Sequence, residues 1–182
     1  MYLRNANSAG AAATSFIYGE AGDTIIFCDW DGNGTQTPGL RRGNTWYLNN
    51  GFDSTADVTP FGYGDPADIP LVGNWDGLLS PADGIAVVRN GTYYLTNTFN
   101  GAGNAGFVYG NPSDTPLAGD WNGDRFTTIG AWRAGTWYLN DQNDSSAPEY
   151  TYTYGNPTGD KPITGNWDGT TTNLDTTPGI IR

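Results

Sequence analysis

The sequence predicts an all-β fold, a β-propeller of four blades in which each blade is a sheet of four antiparallel strands. A phrase of about 45 residues recurs four times along the 182-residue chain. Its tryptophans follow one another at intervals of 45, 46 and 46 residues, at Trp30, Trp75, Trp121 and Trp167. A repeat of this length is typical of solenoids and propellers, in which each unit buries its faces against its neighbours.

The other shared residues show that the fourth copy is divided between the two chain ends. A Tyr-Gly pair precedes each tryptophan and an arginine follows it: Tyr18-Gly19, Tyr63-Gly64, Tyr109-Gly110 and Tyr154-Gly155, with Arg42, Arg89, Arg133 and Arg182. An aromatic phrase comes next, at Trp46-Tyr47-Leu48, Tyr93-Tyr94-Leu95 and Trp137-Tyr138-Leu139, and its fourth copy is Tyr2-Leu3. We therefore divide a single domain, 1–182, into units of approximately 20–64, 65–110, 111–155, and 156–182 together with 1–19.

The second unit illustrates the four strands predicted for each blade. Apolar and β-branched residues predict strands at 69–75, 84–89, 92–97 and 107–110. Asn90-Gly91 separates the second strand from the third, and Asn-Gly readily adopts the positive φ angles of a tight hairpin turn. Gly43-Asn44 and Ala134-Gly135 occupy the same position in units one and three. No window has an apolar period of 3.6 residues over three turns, so we expect little or no helix.

The divided unit predicts how the fold is completed. Residues 163–167 and 178–182 supply two strands of the last blade, and residues 1–4 and 15–19 supply the other two. Pairing of the N- and C-terminal strands in one blade closes a four-bladed ring within one chain, which we expect to be a monomer. Two alternatives stay open: the same strands pair between two chains in an eight-bladed ring, or they join further repeats of a longer parent protein. A solenoid or a sandwich leaves the divided unit unexplained.

Composition excludes several classes of partner and reaction. The chain has 19 acidic and 8 basic residues, a net charge of −11, so we expect no nucleic-acid partner and no insertion into or binding to an anionic membrane. It has no histidine, which removes Ser-His-Asp and Cys-His catalysis and the usual catalytic zinc sites. The acidic residues lie mainly in repeated turn positions, so we expect no enzymatic activity. The first residues lack the apolar stretch of a signal peptide.

The loop that follows the tryptophan suggests a metal site in two of the units. Unit one has Asp29-Trp30-Asp31-Gly32-Asn33-Gly34 and unit three has Asp120-Trp121-Asn122-Gly123-Asp124. Oxygen-bearing side chains at alternate positions, with glycine to bend the chain, can surround a hard cation such as Ca²⁺. The alternative is that these residues only make tight turns, in which their side chains accept hydrogen bonds from nearby backbone amides.

These motifs resemble a known family. The phrases Gly119-Asp120-Trp121-Asn122-Gly123-Asp124, Ile129-Gly130-Ala131-Trp132-Arg133 and Gly135-Thr136-Trp137-Tyr138-Leu139 look like FG-GAP/VCBS-type repeats of bacterial surface and secreted proteins, whose blades are similar to those of integrin α-chain propellers. The resemblance extends over all four units. It implies a propeller in which the loop between the two inner strands of a blade often holds Ca²⁺. By this resemblance the ligands are Asp29, Asp31 and Asn33 in unit one, and Asp120, Asn122 and Asp124 in unit three.

The chain departs from the family pattern in every unit. Units two and four begin the loop with Asn74-Trp75-Asp76-Gly77 and Asn166-Trp167-Asp168-Gly169, and have Leu78 and Thr170 at the third ligand position. In these two loops we favour turn formation over metal binding. In units one and three, Thr37 and Thr128 stand where the family has a further aspartate. A return of Asp83 and Asp175, late in the two longer loops, to the ligand positions is an alternative that we do not favour.

We expect structural roles for most of the recurrent aromatic and arginine residues. The four spaced tryptophans are expected to pack between neighbouring blades, and the four arginines to form ion pairs or hydrogen bonds between blades. Trp46, Tyr93 and Trp137 lie on third strands and are expected to be half exposed near the rim, which makes them candidate glycan contacts. The single cysteine, Cys28, lies in an apolar run and is expected to be buried.

Together these features favour a non-catalytic module that is stabilised by Ca²⁺ and presents loops on a rigid disc. We expect it to act outside the cell or at the cell surface, where it binds a protein or glycan partner in adhesion or as a scaffold. Two alternatives stay open: a lectin that uses the third-strand aromatic residues, and a self-assembling fragment of a larger propeller protein. Exposed third-strand aromatic residues would favour the lectin, and buried ones the scaffold.

Overall fold

The computed structural model describes residues 1–6, 8–77, 81–167 and 175–182, and within these ranges sixteen strands form five antiparallel sheets without an α-helix. Three sheets have four strands: β3 (Thr24–Cys28), β4 (Thr37–Arg42), β5 (Thr45–Leu48) and β6 (Phe61–Gly62); β7 (Ile69–Gly73), β8 (Gly84–Arg89), β9 (Thr92–Thr96) and β10 (Phe107–Val108); β11 (Thr115–Gly119), β12 (Thr128–Arg133), β13 (Thr136–Leu139) and β14 (Tyr150–Thr153). Two sheets have two strands: β1 (Tyr2–Leu3) with β2 (Thr14–Ser15), and β15 (Lys161–Gly165) with β16 (Thr177–Ile181). The predicted all-β fold with a repeated four-stranded sheet is confirmed.

In each four-stranded sheet the predicted two-residue hairpin joins the second strand to the third. Arginine faces threonine across it each time: Arg42 opposite Thr45, Arg89 opposite Thr92, and Arg133 opposite Thr136. The φ angles of Asn90 and Gly91 are 50° and 78°, and those of Ala134 and Gly135 are 46° and 87°. Two positive φ angles in succession give a turn whose twist matches that of the flanking strands. The shared register places equivalent residues of the repeat in equivalent positions.

The sheets stack face to face in chain order. The second strands β4, β8 and β12 are buried along nearly their whole length, because both of their faces are covered. Core clusters join each sheet to the next: Trp46 with Ile85, Tyr93 with Ile129, and Trp137 with Ile180. The first strands also lie side by side, β3 next to β7, β7 next to β11, and β11 next to β15. The hydrophobic core is therefore a series of layers between sheets.

The two-stranded sheets correspond to the two halves of the divided unit. The pair β15–β16 repeats the first and second strands of a full sheet, and the pair β1–β2 repeats the third and fourth. Among the described residues β16 does not pair with β1, so the predicted closure of the ring is not observed. Apolar side chains remain exposed at both ends of the stack, Ile25 and Phe27 at one end and Trp167 and Ile181 at the other.

Candidate functional site

The loop after β3 folds around the side chain of Asp29. One carboxylate oxygen of Asp29 accepts a hydrogen bond from the N–H of Asn33 at 3.0 Å, and the other accepts from Gly34 at 2.7 Å. Asp31 accepts from the same Asn33 N–H at 3.2 Å, so the two carboxylates converge on one amide. The side-chain oxygen of Asn33 accepts from the N–H of Thr35 at 2.8 Å. The three predicted ligands are thus brought together as acceptors within a turn.

The loop after β11 repeats this arrangement around Asp120. Its carboxylate accepts from the N–H groups of Gly123 at 2.8 Å, Asp124 at 3.1 Å and Arg125 at 2.8 Å. Asn122 accepts from the Asp124 N–H at 3.1 Å. Burial raises the pKa of Asp120, and this effect outweighs the lowering effect of the backbone hydrogen bonds. With these three backbone hydrogen bonds, Asp120 is the central acceptor of its loop, as Asp29 is in the loop of unit one.

Turn formation explains the positions of the six predicted ligands directly, and Ca²⁺ binding fits them in part. Their oxygens already accept N–H groups of their own loop. In the parts of the chain that the structure describes, no group of three or more acidic or cysteine side chains is placed to hold a metal ion. Each carboxylate oxygen has a second lone pair, however, so converging oxygens can still receive a hard cation.

The loops of units two and four are described only in part. In unit two, the amide group of Asn74 donates to the carbonyl of Gly77 at 2.8 Å, as expected for a turn. Leu78 and positions 168–170, which include Asp168 and Thr170, lie outside the described residues.

Each loop is bonded to the following sheet by the residue that precedes that sheet's second strand. The N–H of Asp83 donates to the carbonyl of Asp29 at 2.7 Å, and its carboxylate accepts the Asp29 N–H at 2.9 Å. Equivalent contacts join Thr127 to Asn74 and Thr176 to Asp120. Asp83 therefore contacts the loop of the preceding unit, and Asp175 likewise lies against Gly123 of the preceding unit.

Cys28 is buried as expected and contacts the same aspartate. Its thiol donates to the carboxylate of Asp83 at 2.9 Å. Burial, with the neighbouring Asp83 charge, strongly raises the pKa of the Cys28 thiol. Because the thiolate is the reactive form of cysteine, a raised pKa lowers the reactivity of the Cys28 thiol.

The third-strand aromatic residues are buried, and the expectation that they are half exposed is wrong. Trp46, Tyr93 and Trp137 are at most 1% exposed. Side chains alternate between the two faces of a strand, so the next residue of each phrase points to the opposite face. Those residues are half-buried: Tyr47, Tyr94 and Tyr138. A glycan cannot reach the three predicted rings, whereas the adjacent tyrosines remain accessible.

Three of the four spaced tryptophans pack between sheets as expected. Trp30, Trp75 and Trp121 are 3–7% exposed, but Trp167 is 55% exposed. All four donate their indole N–H to a backbone carbonyl near the start of the second strand, at 3.0–3.1 Å. Trp167 has the same local contact and lacks only burial, because no further sheet of the described residues covers the end of the stack where it lies.

Each recurrent arginine pairs with an aspartate of its own unit, so the expectation of pairing between blades is wrong. The pairs are Arg42 with Asp23 at 2.8 Å, Arg89 with Asp68 at 2.8 Å, Arg133 with Asp114 at 2.7 Å and Arg182 with Asp160 at 3.4 Å. Hydrogen bonds from Arg42 lower the pKa of Asp23 to about 2. These aspartates recur four or five residues after each Tyr-Gly pair. Their repetition is visible in the sequence, although the motifs alone did not predict a role for them.

One arginine does join two sheets, and its position is not part of the repeat. Arg41 is buried and donates to the carbonyls of Asp65 and Asp68 in the following unit, at 2.6 and 2.7 Å. Its guanidinium carbon lies 5.6 Å from the centre of the Trp46 ring. Burial lowers the pKa of Arg41. Units two and three have Val88 and Trp132 at the equivalent strand position, so comparison of the units gave no reason to expect this contact.

The arginines also cover the accessible tyrosines and form with them three equivalent cavities, which we call the Arg–Tyr cavities. The guanidinium carbons of Arg42, Arg89 and Arg133 lie 5.4, 5.7 and 4.9 Å from the ring centres of Tyr47, Tyr94 and Tyr138. Each cavity is bounded by this pair, by the Tyr-Gly pair of the preceding unit and by the loop between the third and fourth strands. Their volumes are about 260, 170 and 230 Å³.

Comparison with known proteins identifies no relative, so a function has to be inferred from this geometry. No protein-family model matches the chain, and neither a curated protein nor a solved structure matches it. The described ranges contain no helix that is long and apolar enough to cross a membrane.

Proposed function

We propose that this protein is a non-catalytic interaction module, a β-propeller disc of the FG-GAP/VCBS type that binds a protein or glycan partner outside the cell or at the cell surface. One observation carries the proposal: the recurring polar groups serve the fold in each unit. Arginine pairs with aspartate, loop carboxylates accept loop amides, and indoles donate to backbone carbonyls. Such repetition supports a rigid platform for loops, whereas catalysis needs a unique set of converging groups.

In this proposal the two terminal half-sheets join as the fourth blade and close the ring within one chain. The strand β16 has the sequence TPGII where β4 has TPGLRR, so the register of β4 with β5 predicts the new pairing. It places Gly179 opposite Leu3 and Ile180 opposite Tyr2. Closure would also bring the exposed Trp167 against the first sheet. Burial of apolar surface at about 25 cal/mol per Å² favours this contact.

The proposed disc binds Ca²⁺ in the loops of units one and three. Two side-chain oxygens in each loop already converge on a single backbone amide, Asn33 in unit one and Asp124 in unit three. A cation would use the remaining lone pairs of these oxygens and offset part of the net charge of −11. The loops therefore serve as turns and as metal ligands at once.

The functional proposal is tested by adhesion. Beads coated with the folded chain are passed over surfaces that carry defined glycans or purified extracellular matrix proteins, with beads carrying heat-unfolded chain as the control. We expect retention of the folded chain on at least one surface and none of the unfolded chain. Turnover of chromogenic glycosides or peptides that is lost on unfolding would identify an enzyme and overturn the proposal, as would failure to bind any surface.

A further inference from the structure

We propose that the Arg–Tyr cavities bind neutral saccharides, one sugar ring in each cavity. This inference rests on the proposed function, since it names the ligand class and the site of the same interaction module. It moves the candidate glycan contacts from the buried Trp46, Tyr93 and Trp137 to the neighbouring tyrosines. Four properties of the cavities carry it: their repetition, their rigid walls, their charge balance and their unused hydrogen-bond donors.

The cavities are built from equivalent positions in three consecutive sheets. In the second sheet the walls include Tyr63-Gly64, Val87, Arg89, Tyr94 and Asn104. The φ angle of Gly64 is +77°, and a Cβ there would come within 2.8 Å of Val87, so glycine allows the backbone to lie directly against the central strand. The first cavity has Leu40 in place of Val87 and Ser54 on its loop, and the third has Ser145 and Ser146 on its loop.

The aromatic wall of each cavity is held in place before any ligand arrives. In the second sheet, Asp68 accepts two hydrogen bonds from Arg89 at 2.8 Å, and Arg89 lies over the ring of Tyr94. The Asp68 carboxylate also accepts the N–H of Asp65 at 2.7 Å. A side chain that is fixed in advance loses less conformational entropy on binding, so this chain of contacts favours recognition.

Charge balance in the cavities favours a neutral ligand. Arg89 bridges two carboxylates, Asp65 and Asp68, both at 2.8 Å, so its charge is already compensated. The other walls are a tyrosine ring, aliphatic groups and small amide or hydroxyl groups such as Asn104. A sugar ring matches both kinds of wall, because its C–H groups pack against the aromatic and aliphatic groups that line the cavity and its hydroxyls bind amides and hydroxyls.

The cavity volumes limit the size of the ligand. Volumes of about 170–260 Å³ lie below the ~300–1,000 Å³ that is typical of sites for drug-sized molecules. A single sugar ring is therefore the portion of a glycan that can enter, with the rest of the chain outside.

Two of the cavities contain a hydrogen-bond donor that the fold does not use. The hydroxyls of Tyr63 and Tyr109 are buried and have no hydrogen-bond partner among the described residues. At the equivalent position in the first cavity, the Tyr18 hydroxyl donates to the Tyr47 carbonyl at 3.0 Å. Burial raises the pKa of Tyr63 to about 12, so its hydroxyl stays protonated at neutral pH. Tyr63 lines the second cavity, and an oxygen of a bound sugar can supply the missing acceptor for its hydroxyl.

Repetition of the cavities makes the proposed binding multivalent. Three weak sites on one rigid stack engage neighbouring sugars of a dense glycan with an avidity that exceeds the affinity of each site. Closure of the ring would build a fourth cavity from Tyr154-Gly155, Arg182 and Tyr2, the positions equivalent to those of the other three. We expect several equivalent sugar sites of this kind to support adhesion to a surface that displays many copies of a glycan.

The experiment is ligand counting by native mass spectrometry, with saturation-transfer NMR on the same samples. The probes are free glucose, galactose, mannose, fucose and N-acetylglucosamine. We expect at least one of them to bind at several sites per chain. Each of Tyr47→Ala, Tyr94→Ala and Tyr138→Ala should lower the number of bound sugars by one, and Tyr152→Ala, which removes an exposed tyrosine on β14, should leave the number unchanged.

Tyr63→Phe separates a binding role from a folding role. It removes a hydroxyl that has no partner in the described structure, so the melting temperature should not fall, whereas affinity at that cavity should fall about tenfold if the hydroxyl donates to the sugar. Tyr18→Phe is the matched control, because its hydroxyl is bonded within the fold and its loss should lower the melting temperature.

Three results would overturn the inference. They are no binding by any of the five sugars, binding that persists when all three cavity tyrosines are alanine in a folded variant, and binding of a proline-rich peptide in the cavities in place of sugars. Adhesion of the coated beads to a matrix protein, together with absence of sugar binding, would support the proposed function. It would reject only the inference that the cavities bind sugars.

Discussion

The aspartate that follows each Tyr-Gly pair shows how one recurring residue organises a unit. Asp68 accepts an N–H from Asp65 at 2.7 Å and two hydrogen bonds from Arg89 at 2.8 Å. Its side chain is only 2% exposed, so these donors replace water around the charge. The same set of contacts recurs at Asp23 and Asp114. Charge-assisted hydrogen bonds of this kind stabilise the ionised carboxylate.

Acid should therefore destabilise the protein by protonating these carboxylates. The pKa of Asp23 is lowered to about 2, and the pKa values of Asp68 and Asp114 are also lowered. Because the folded pKa lies below the unfolded value of about 3.9, the stabilisation is complete above pH 4 and is lost as the pH falls towards 2. We expect the melting temperature to fall by roughly 5–10 °C between pH 5 and pH 2.5.

Replacement of one arginine gives the control for this prediction. Arg89→Met removes the hydrogen bonds that lower the pKa of Asp68, so its melting temperature should depend less steeply on pH over the same range. The raised pKa of Asp120 acts in the opposite direction and is common to both proteins. If the melting temperatures of Arg89→Met and the parent chain depended equally on pH, Arg89 would not be the group that lowers the pKa of Asp68.

At the scale of single elements, hairpins and loops are built from residues with strong local preferences. The hairpin between β8 and β9 uses Asn90-Gly91, whereas the equivalent hairpin between β12 and β13 uses Ala134-Gly135. Ala134 nevertheless has a φ of 46°. A residue with a Cβ is strained in this left-handed region by roughly 1–2 kcal/mol, and asparagine tolerates it better.

Ala134→Asn should therefore stabilise the protein. We expect a gain of about 0.5–1 kcal/mol in the free energy of unfolding, measured by urea denaturation. Asn90→Ala is the matched change in the opposite direction and should lower the free energy by a similar amount. A loss of stability in Ala134→Asn would mean that contacts of the alanine methyl group outweigh the backbone strain.

The loops of units one and three carry the prediction about metal. Titration of Ca²⁺ into chelator-treated protein, followed by calorimetry, should show about two sites and a rise in melting temperature. Asp29→Asn and Asp120→Asn should each remove one site, since each replaces the central carboxylate of its loop. Absence of heat at millimolar Ca²⁺ would leave both loops as turns only.

At the scale of the whole molecule, the stack of sheets is complete in its middle and open at its ends. Each internal boundary buries a tryptophan that lies two residues after the end of a first strand, such as Trp75 or Trp121. At the open ends, Trp167 is 55% exposed and Tyr2 is 84% exposed. The same residue types that form the core elsewhere are therefore in solvent at one boundary. Apolar surface of this kind favours association with a matching face.

A disulfide test decides how this boundary is closed. In a Cys28→Ser background, Tyr2→Cys and Ile180→Cys place two cysteines at positions that match Tyr47 and Leu40, which face each other across β4 and β5. We expect an intrachain disulfide under mild oxidation and the native mass of one chain. Tyr2→Cys with Thr177→Cys, at the far end of β16, is the control and should not cross-link.

The other outcomes of this test are equally informative. A disulfide between two chains would show that the half-sheets pair in a larger ring of two molecules, which contradicts the monomer but keeps the pairing. Absence of any disulfide in the folded protein would contradict the pairing of β16 with β1 itself.

Local physics allowed the sequence alone to predict the repeat, the strands and the hairpins. Turn residues such as Asn90-Gly91 act within a few positions of the chain, and alternation of apolar residues marks a strand wherever it lies. The burial of Cys28, Trp30 and Trp75 also followed from residue type and position in the repeat. These properties depend on neighbours in the sequence, so they could be predicted before any fold was known.

Only the tertiary structure decided which groups meet. In the phrase Trp46-Tyr47, both residues are large and aromatic. The stacking of the sheets buries Trp46 and leaves Tyr47 in the wall of a cavity. Asp83 contacts the loop of the preceding unit, and Arg41 crosses to the following one. These contacts depend on how whole sheets lie against each other. Sequence spacing within a unit therefore could not predict them, because the partner lies in another sheet.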